Sequence, residues 1–197
     1  WCMNFFRASG AGESMIGNFY KIILKLFHVK YGKRLTLKGI PVIFNKKGAV
    51  MEIGEDCLIK SSFLSNLVGL YSRTIIVTRQ PGAYIRIGDH VGISGATIYA
   101  RSGITIGDHT NIGGNVKILD NDFHPVEPRA RLADDKESIG TAPVWIGQNC
   151  FIGCNALILK GSRLGDNCVV GAGAVVSGSF EENCVIAGNP AKVIKRI

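Results

Sequence analysis

The residues of this sequence best suited to do chemistry lie around His124. An imidazole titrates near neutrality, so His124 can accept a proton from a nucleophile at physiological pH. Asp120 and Asp122 are close enough in sequence for one of them to orient the ring, as carboxylates do in triad-like arrangements. These residues belong to a charged segment with three prolines that spans 119–144, and loops of this length in compact domains are usually functional. His124 is therefore a candidate general base in a long loop, and from these residues alone a solvated loop histidine is the equal alternative.

Metal and disulfide chemistry are not indicated. The six cysteines follow no CxxC or CxxH spacing, and no basic stretch leads into an apolar one at the N-terminus, as a secretory signal would require. We expect reduced thiols, a cytoplasmic protein and no metal. His90 and His109 stand in identical Gly-Asp-His tripeptides, which predicts that they stack on one edge as solvated corners.

The net positive charge of the chain indicates which kinds of anionic partner it could bind. The chain has 197 residues, with 23 Lys and Arg against 15 Asp and Glu, a formal net charge of +8 at pH 7. No aromatic residues alternate with the basic ones as base-stacking platforms, so we expect no nucleic-acid binding. The basic residues form two local patches, within residues 21–47 and 192–196, which an anionic small molecule or an anionic membrane surface explains more simply. No apolar run approaches the roughly 18 residues that a membrane span requires.

A six-residue repeat identifies the elements that must position the loop. Aliphatic residues recur in steps of six at Ile146, Ile152, Ile158, Leu164, Val170 and Val176. Small side chains follow four residues later at Cys150, Ala156, Ser162, Cys168 and Ala174. Residues 87–118 obey the same rule with one inserted residue, and a fainter copy begins at residue 53. A period of six suits a coil of triangular cross-section, in which each hexad supplies one short strand and one corner.

The repeat also dictates what surrounds it. One coil cannot bury its own apolar column, so coils must stack and the ends of the stack need caps. Asparagines in the repeat tolerate the corner dihedrals, at Asn115, Asn149, Asn155 and Asn167. Residues 18–30 predict an amphipathic helix that caps the open end, and such a basic helix could also rest on a membrane surface. We therefore divide the chain into an N-terminal segment with the cap helix, 1–35, and a repeat domain, 36–197. An ordinary β-sandwich with coincidental spacing is the alternative.

The hexads, together with the ending AGNPAKVI at 187–194, resemble the hexapeptide-repeat acyltransferases. The similarity is greatest to the galactoside, maltose and capsular-polysaccharide O-acetyltransferases, and it covers roughly residues 36–197. The resemblance implies an all-β fold, a left-handed parallel β-helix with a long catalytic loop. It also implies a homotrimer with acetyl-CoA bound in grooves between neighbouring prisms. Because the family's catalytic histidine lies in a His-Pro loop, the resemblance implies that His124, followed by Pro125, is the base of acetyl transfer.

The resemblance also implies which residues hold acetyl-CoA: Cys154, Ala172, Ser177, Gly178, Lys192 and Lys195. Cys154 stands where the family has a small residue facing the coenzyme, and Ala172 lines the pantetheine arm. The Ser-Gly pair replaces a Thr-Lys pair, so one basic contact is missing. The two lysines of the tail match basic positions near the phosphates, where point charges favour an anion.

On the acceptor side the correspondence is weaker. Phe151 stands where the family commonly has a tryptophan, which keeps an apolar wall but loses the indole donor. Ser94 and Asn115 are the best further candidates. We predict an acetyl-CoA-dependent O-acetyltransferase that acts on a sugar hydroxyl in capsular, O-antigen or exopolysaccharide biosynthesis. An N-acetyltransferase acting on an amino sugar and a non-catalytic β-helix scaffold are the alternatives.

Overall fold

The computed structural model describes residues 15–197, with side chains from Phe19 onward, and shows a parallel β-helix. The strands are β1 (Lys30–Tyr31), β2 (Thr36–Lys38), β3 (Val42–Phe44), β4 (Val50–Ile53), β5 (Leu58–Lys60), β6 (Ile75–Thr78), β7 (Tyr84–Ile87), β8 (Gly92–Ser94), β9 (Thr97–Ala100), β10 (Gly103–Ile106), β11 (Asn111–Ile112), β12 (Lys117–Leu119), β13 (Val144–Ile146), β14 (Phe151–Ile152), β15 (Leu157–Ile158), β16 (Arg163–Leu164), β17 (Val169–Val170), β18 (Val175–Val176), β19 (Ser179–Phe180), β20 (Cys184–Gly188) and β21 (Ala191–Arg196). The part of the chain that the structure describes also contains two helices, α1 (Met15–Leu26) and α2 (Pro128–Leu132), and short 3-10 turns at Phe63–Ser65 and Lys136–Ser138.

Three sheets form the faces of a triangular prism. Sheet A contains β1, β4, β7, β10, β13, β16 and β19, sheet B contains β2, β5, β8, β11, β14, β17, β20 and β21, and sheet C contains β3, β6, β9, β12, β15 and β18. Each coil passes from sheet A to B to C, and all pairings are parallel except β20 with β21. The predicted left-handed parallel β-helix is confirmed.

The interior of the prism is the predicted aliphatic column. All six aliphatic residues from Ile146 to Val176 are fully buried, and the small residues between them are at most 1% exposed. The four corner asparagines adopt left-handed φ values of 52–61°. Coils pack so closely that a Cβ on Gly107 would lie 2.5 Å from the backbone nitrogen of Gln148. Burial raises the pKa of the column thiols of Cys57 and Cys150 to about 11, so these cysteines are small apolar residues that stay protonated.

The β-helix begins earlier than the sequence indicated. Strand β1 pairs with β4, so the first coil starts at Lys30, inside the segment assigned to the cap. Leu37 and Ile43 point inward and are six residues apart, but an irregular corner at 45–49 interrupts the six-residue step before Met51. Because of this interruption, the first coil does not show a strict six-residue repeat in the sequence.

Helix α1 covers the open end of the prism, as predicted, but it runs over Met15–Leu26 rather than 18–30. His28 takes a left-handed φ of 53°, which turns the chain into the first coil. Leu24 is fully buried against the core, and the Tyr20 hydroxyl accepts a hydrogen bond from the backbone N–H of Ile43 at 3.2 Å. No helix within residues 15–197 is long and apolar enough to cross a membrane.

The histidine rings of residues 90 and 109 stack as predicted, with centroids 4.7 Å apart and an interplanar angle of 4°. They lie at the corners between sheets A and B, remote from the long loop. Among the described residues, no group of three or more His, Cys, Asp or Glu is arranged to hold a metal ion.

Candidate active site

Eight of the twelve predicted site residues lie along two different edges of the prism, and the other four lie on sheet B. The B–C edge is the row of corners where strands of sheet B turn into sheet C, and it contains Asn115, Cys154 and Ala172. The C–A edge is the row where sheet C turns into sheet A, and it contains the long loop, 120–143, together with Ser177 and Gly178. Sheet C separates the two edges within one chain.

The root of the long loop is fixed by Asp120. Its fully buried carboxylate accepts hydrogen bonds from the backbone N–H groups of Arg101, Ser102 and Gly103, at 2.8, 2.7 and 2.7 Å. The amide of Asn121 donates to it as well, at 3.1 Å. Because these donors surround both oxygens, Asp120 holds the first turn of the loop to the coil before it.

Asp122 holds the next turn. Its backbone N–H donates to the carbonyl of Gly140 at 3.0 Å, which joins the outgoing and returning arms of the loop. Its carboxylate forms an ion pair with Lys160, with an Nζ–Oδ2 distance of 2.9 Å. No sequence pattern connects Lys160 with the loop, so sequence reasoning missed this residue.

His124 follows a constrained residue. Phe123 has a φ of 63°, a left-handed conformation that is strained for a bulky side chain. Its backbone N–H donates to the Asn121 side chain at 2.9 Å, and its ring packs on Tyr99 of sheet C with centroids 4.9 Å apart. The backbone N–H of His124 donates to the carbonyl of Asp122 at 2.7 Å. These contacts hold the backbone of His124 while its side chain remains exposed and the following Pro125 is buried.

The B–C edge forms a ledge of small residues. The backbone N–H of Asn155 donates to the carbonyl of Gly114, and that of Gly173 donates to the carbonyl of Cys154, both at 2.9 Å. Cys154 is half-buried and Ala172 is exposed. The stacked corners therefore leave a narrow strip of small side chains along the prism.

An insertion at 61–74 packs onto the top of this ledge. The Asn115 amide nitrogen donates to the carbonyl of Gly69 at 2.9 Å, and its oxygen accepts from the backbone N–H of Tyr71 at 3.2 Å. The Tyr71 hydroxyl donates to Asn155 at 3.3 Å. Packing is close enough that a Cβ on Gly114 would lie 2.7 Å from Cγ1 of Val68. Asn115, predicted to bind the acceptor, thus fastens the insertion with both ends of its amide.

The insertion presents an apolar surface beside Cys154. Its large exposed side chains are Phe63, Leu64, Leu67, Val68 and Tyr71. A cavity of about 220 Å³ lies at its base, between Phe63, Tyr71 and Arg73. Residues 61–74 are rich in apolar side chains, but no sequence pattern connects them with the ledge.

The remaining predicted residues lie on sheet B. Lys192 pairs with Ala187 and Lys195 with Val185, so β21 carries both exposed lysines along the last strand of that sheet. Phe151 is half-exposed on the outer face, and Ser94 ends β8. One chain thus brings the donor-side residues Cys154, Ala172 and Lys192 to one side of the prism. It does not bring His124 to them.

Comparisons with known proteins identify relatives of this chain. The family model described as the hexapeptide repeat of succinyl-transferase matches residues 143–177. Galactoside O-acetyltransferase of Escherichia coli (strain K12) is 36% identical over 172 residues, which span 84% of this chain and 79% of that protein. A second protein of that strain, WbbJ, is named for O-acetyl transfer in lipopolysaccharide biosynthesis and is 36% identical over 117 residues, 57% of each chain. The match thus spans little more than half of the length of WbbJ.

Solved structures show the same fold. Galactoside acetyltransferase in complex with coenzyme A superposes with a TM-score of 0.60 at 24% identity, over 98% of this chain and 75% of that one. The N-acyltransferase AntD from Bacillus cereus, solved with dTDP and 3-hydroxybutyryl-CoA, superposes with a TM-score of 0.64 at 20% identity, over 89% and 87%. The β-helix of this chain is thus also the fold of two structures whose titles name acyl transfer. Given the relative at 36% identity, this chain belongs to the hexapeptide-repeat acetyltransferase family.

Proposed function

We propose that the protein transfers the acetyl group of acetyl-CoA to a hydroxyl group of a sugar, in the cytoplasm, during the synthesis of a surface polysaccharide. The observation that carries the proposal is the exposed His124 side chain at the end of a backbone fixed by Asp120, Asp122 and Phe123. A scaffold protein has no need of an exposed histidine on such a rigid support. The hydroxyl acceptor is supported by the two relatives at 36% identity, both named for O-acetyl transfer.

In this proposal His124 acts as the general base. Its ring nitrogen takes the proton of the acceptor hydroxyl while the oxygen attacks the thioester carbonyl, and the new C–O bond replaces the C–S bond. The imidazolium then returns the proton to the departing thiolate, so that the ring ends the cycle neutral. Asp122 contributes by position, because its ion pair with Lys160 keeps the loop against the C–A edge.

The donor lies on the B–C edge in this proposal. Acetyl-CoA would extend along the ledge with its pantetheine arm against Cys154 and Ala172, where small side chains leave room and backbone groups can bond its amides. The phosphates would lie near the exposed lysines of β21. Phe151 and the insertion 61–74 would form apolar walls near the reacting end.

We further propose a homotrimer. Because sheet C separates His124 from the ledge, a complete site requires the loop of one chain to face the ledge of the next. A threefold arrangement of parallel prisms provides three such loop–ledge contacts and forms a closed ring of three chains. It would also cover apolar side chains now exposed on the insertion and the loop, including Leu64, Leu67 and Leu132.

An acceptor screen tests the proposed function. The purified protein is incubated with acetyl-CoA and a panel of galactosides, glucosides, nucleotide sugars and amino sugars, and released CoA is measured. We expect release with at least one acceptor whose free groups are hydroxyls only. Release confined to amino sugars would show N-acetylation, and no release together with no measurable CoA binding in an isothermal titration would favour a non-catalytic scaffold.

Replacing Lys192 and Lys195 with alanine should weaken CoA binding at low salt, and the loss should shrink as salt is raised. The contact is an exposed charge on phosphate, which mobile ions screen. Isothermal titration with CoA measures the effect. The matched control is Lys117→Ala with Arg163→Ala, which removes two exposed positive charges from sheets C and A, outside the proposed site. Equal CoA affinity of the tail variant and the parent at low salt would remove both lysines from the site.

A further inference from the structure

The positive charge of the chain is concentrated at one end of the prism. Between residues 15 and 51 there is no Asp or Glu, whereas eight Lys and Arg occur there. The remaining 15 basic residues balance the 15 acidic residues of the whole chain. The net charge of +8 therefore belongs to helix α1 and the first coil.

Most of these basic side chains point into solvent around the end of the prism. Lys33 lies at the corner between sheets A and B, Lys38 on sheet B, and Lys46 and Lys47 at the C–A edge, all exposed. Lys30 and Arg34 pair with Glu52 and Asp56 of the second coil. Lys25, Lys33, Lys38, Lys46 and Lys47 form no ion pair among the side chains that the structure describes.

Helix α1 places an apolar face in the middle of this basic ring. Leu24 faces the core and is fully buried, whereas Phe19, Ile22 and Leu26 are 65%, 56% and 72% exposed. Their spacing of three and four residues puts them on one side of the helix, away from the prism. Ile40, which follows strand β2 in the first coil, is exposed as well. We define the basal surface by its members: Phe19, Ile22, Leu26, Lys25, Lys33, Lys38, Lys46 and Lys47.

We propose that the basal surface binds the protein to an anionic membrane. An apolar helix face surrounded by lysines matches the boundary between headgroups and acyl chains, where the apolar residues are buried and the lysines meet lipid phosphates. A nucleic acid would satisfy the lysines but offers no apolar layer for Phe19, Ile22 and Leu26. In this arrangement the long axis of the prism points away from the membrane. In a cyclic trimer all three basal surfaces face the same way, so the three chains bind the membrane together and the overall affinity rises.

This inference is independent of acetyl transfer, and its test does not use activity. The protein is sedimented with vesicles of equimolar phosphatidylglycerol and phosphatidylcholine, and with vesicles of phosphatidylcholine alone. We expect binding to the anionic vesicles only, and we expect added salt to weaken it.

Two variants separate the charge from the apolar face. Lys46→Gln with Lys47→Gln should lower partitioning onto anionic vesicles by roughly tenfold, since each lysine near an anionic surface contributes to binding. Phe19→Gln with Ile22→Gln and Leu26→Gln should lower it by at least about as much, because no apolar face then enters the bilayer. The control, Lys117→Gln with Arg163→Gln, removes the same charge from sheets C and A and should bind vesicles like the parent. An unchanged CoA affinity shows that each variant is folded.

The outcomes that overturn the proposal are distinct. Equal binding to neutral and anionic vesicles, or no binding to either, would show that the basal surface does not recognise anionic lipid. An equal loss in the control pair would reduce the effect to overall charge. Binding to a duplex DNA oligonucleotide that depends on Lys46 and Lys47 but survives the triple glutamine substitution would assign the surface to nucleic acid.

Discussion

Replacing His124 with alanine should lower the turnover of acetyl transfer by roughly 10²–10⁴-fold, the usual share of a general base. The melting temperature should move little, since the ring is exposed and lies outside the aliphatic column. The affinity for CoA should also hold, because the proposed donor contacts belong to the B–C edge and β21. Release of CoA with any accepted sugar, a thermal melt and a CoA titration measure the three quantities.

His109→Ala is the matched control for this variant. Its ring is an exposed imidazole stacked on His90 at the corner between sheets A and B, away from both edges of the proposed site. The control should turn over like the parent. A folded His124→Ala protein with turnover within about threefold of the parent would place the base elsewhere, since such a change is far below the loss of a general base.

Replacing Ile152 with aspartate should abolish the folded state. Ile152 is fully buried in sheet B, in register with Ile112 above and Val170 below. An aspartate there leaves a carboxyl group inside the prism with no polar partner, which costs several kcal/mol against a total stability of about 5–15 kcal/mol. Circular dichroism should show no cooperative melt.

The neighbouring residue provides the control for folding. Phe151 lies on the same strand but faces outward and is 49% exposed, so Phe151→Asp places its charge in water. That variant should melt cooperatively. If Ile152→Asp melts within a few degrees of Phe151→Asp, the inward column is not what holds the prism together.

The coils from 146 to 176 could be predicted from sequence because every inward position requires an aliphatic side chain. Each aliphatic residue stacks on its counterpart one coil away, as Ile146 does on Ile106 and Leu164, so the same residue type recurs at fixed spacing. The first coil could not be predicted in the same way, because the irregular corner at 45–49 interrupts its six-residue spacing. The histidine stack and the corner asparagines followed from the same regularity.

The candidate site was less predictable because its contacts are neither periodic nor local. Asp120 and Asp122 were recognised beside His124, but their partners are backbone groups of the preceding coil and Lys160, which no repeat connects to the loop. From the sequence, Asn115 is a candidate contact for the acceptor. Its amide bonds the insertion 44 and 46 residues earlier in the chain, a pairing that only the fold reveals.

A mixed trimer of two inactive variants tests the shared site most directly. His124→Ala removes the base from the C–A edge, and Cys154→Trp blocks the ledge on the B–C edge. The two chains are co-expressed with different tags, and trimers that carry both tags are purified and assayed for CoA release. If each site joins the loop of one chain to the ledge of the next, every such trimer retains one intact site of three and should show about one third of the parent turnover. Recovery of doubly tagged trimers without activity would show that the loop and the ledge act within one chain, and recovery of no doubly tagged protein would rule out the oligomer.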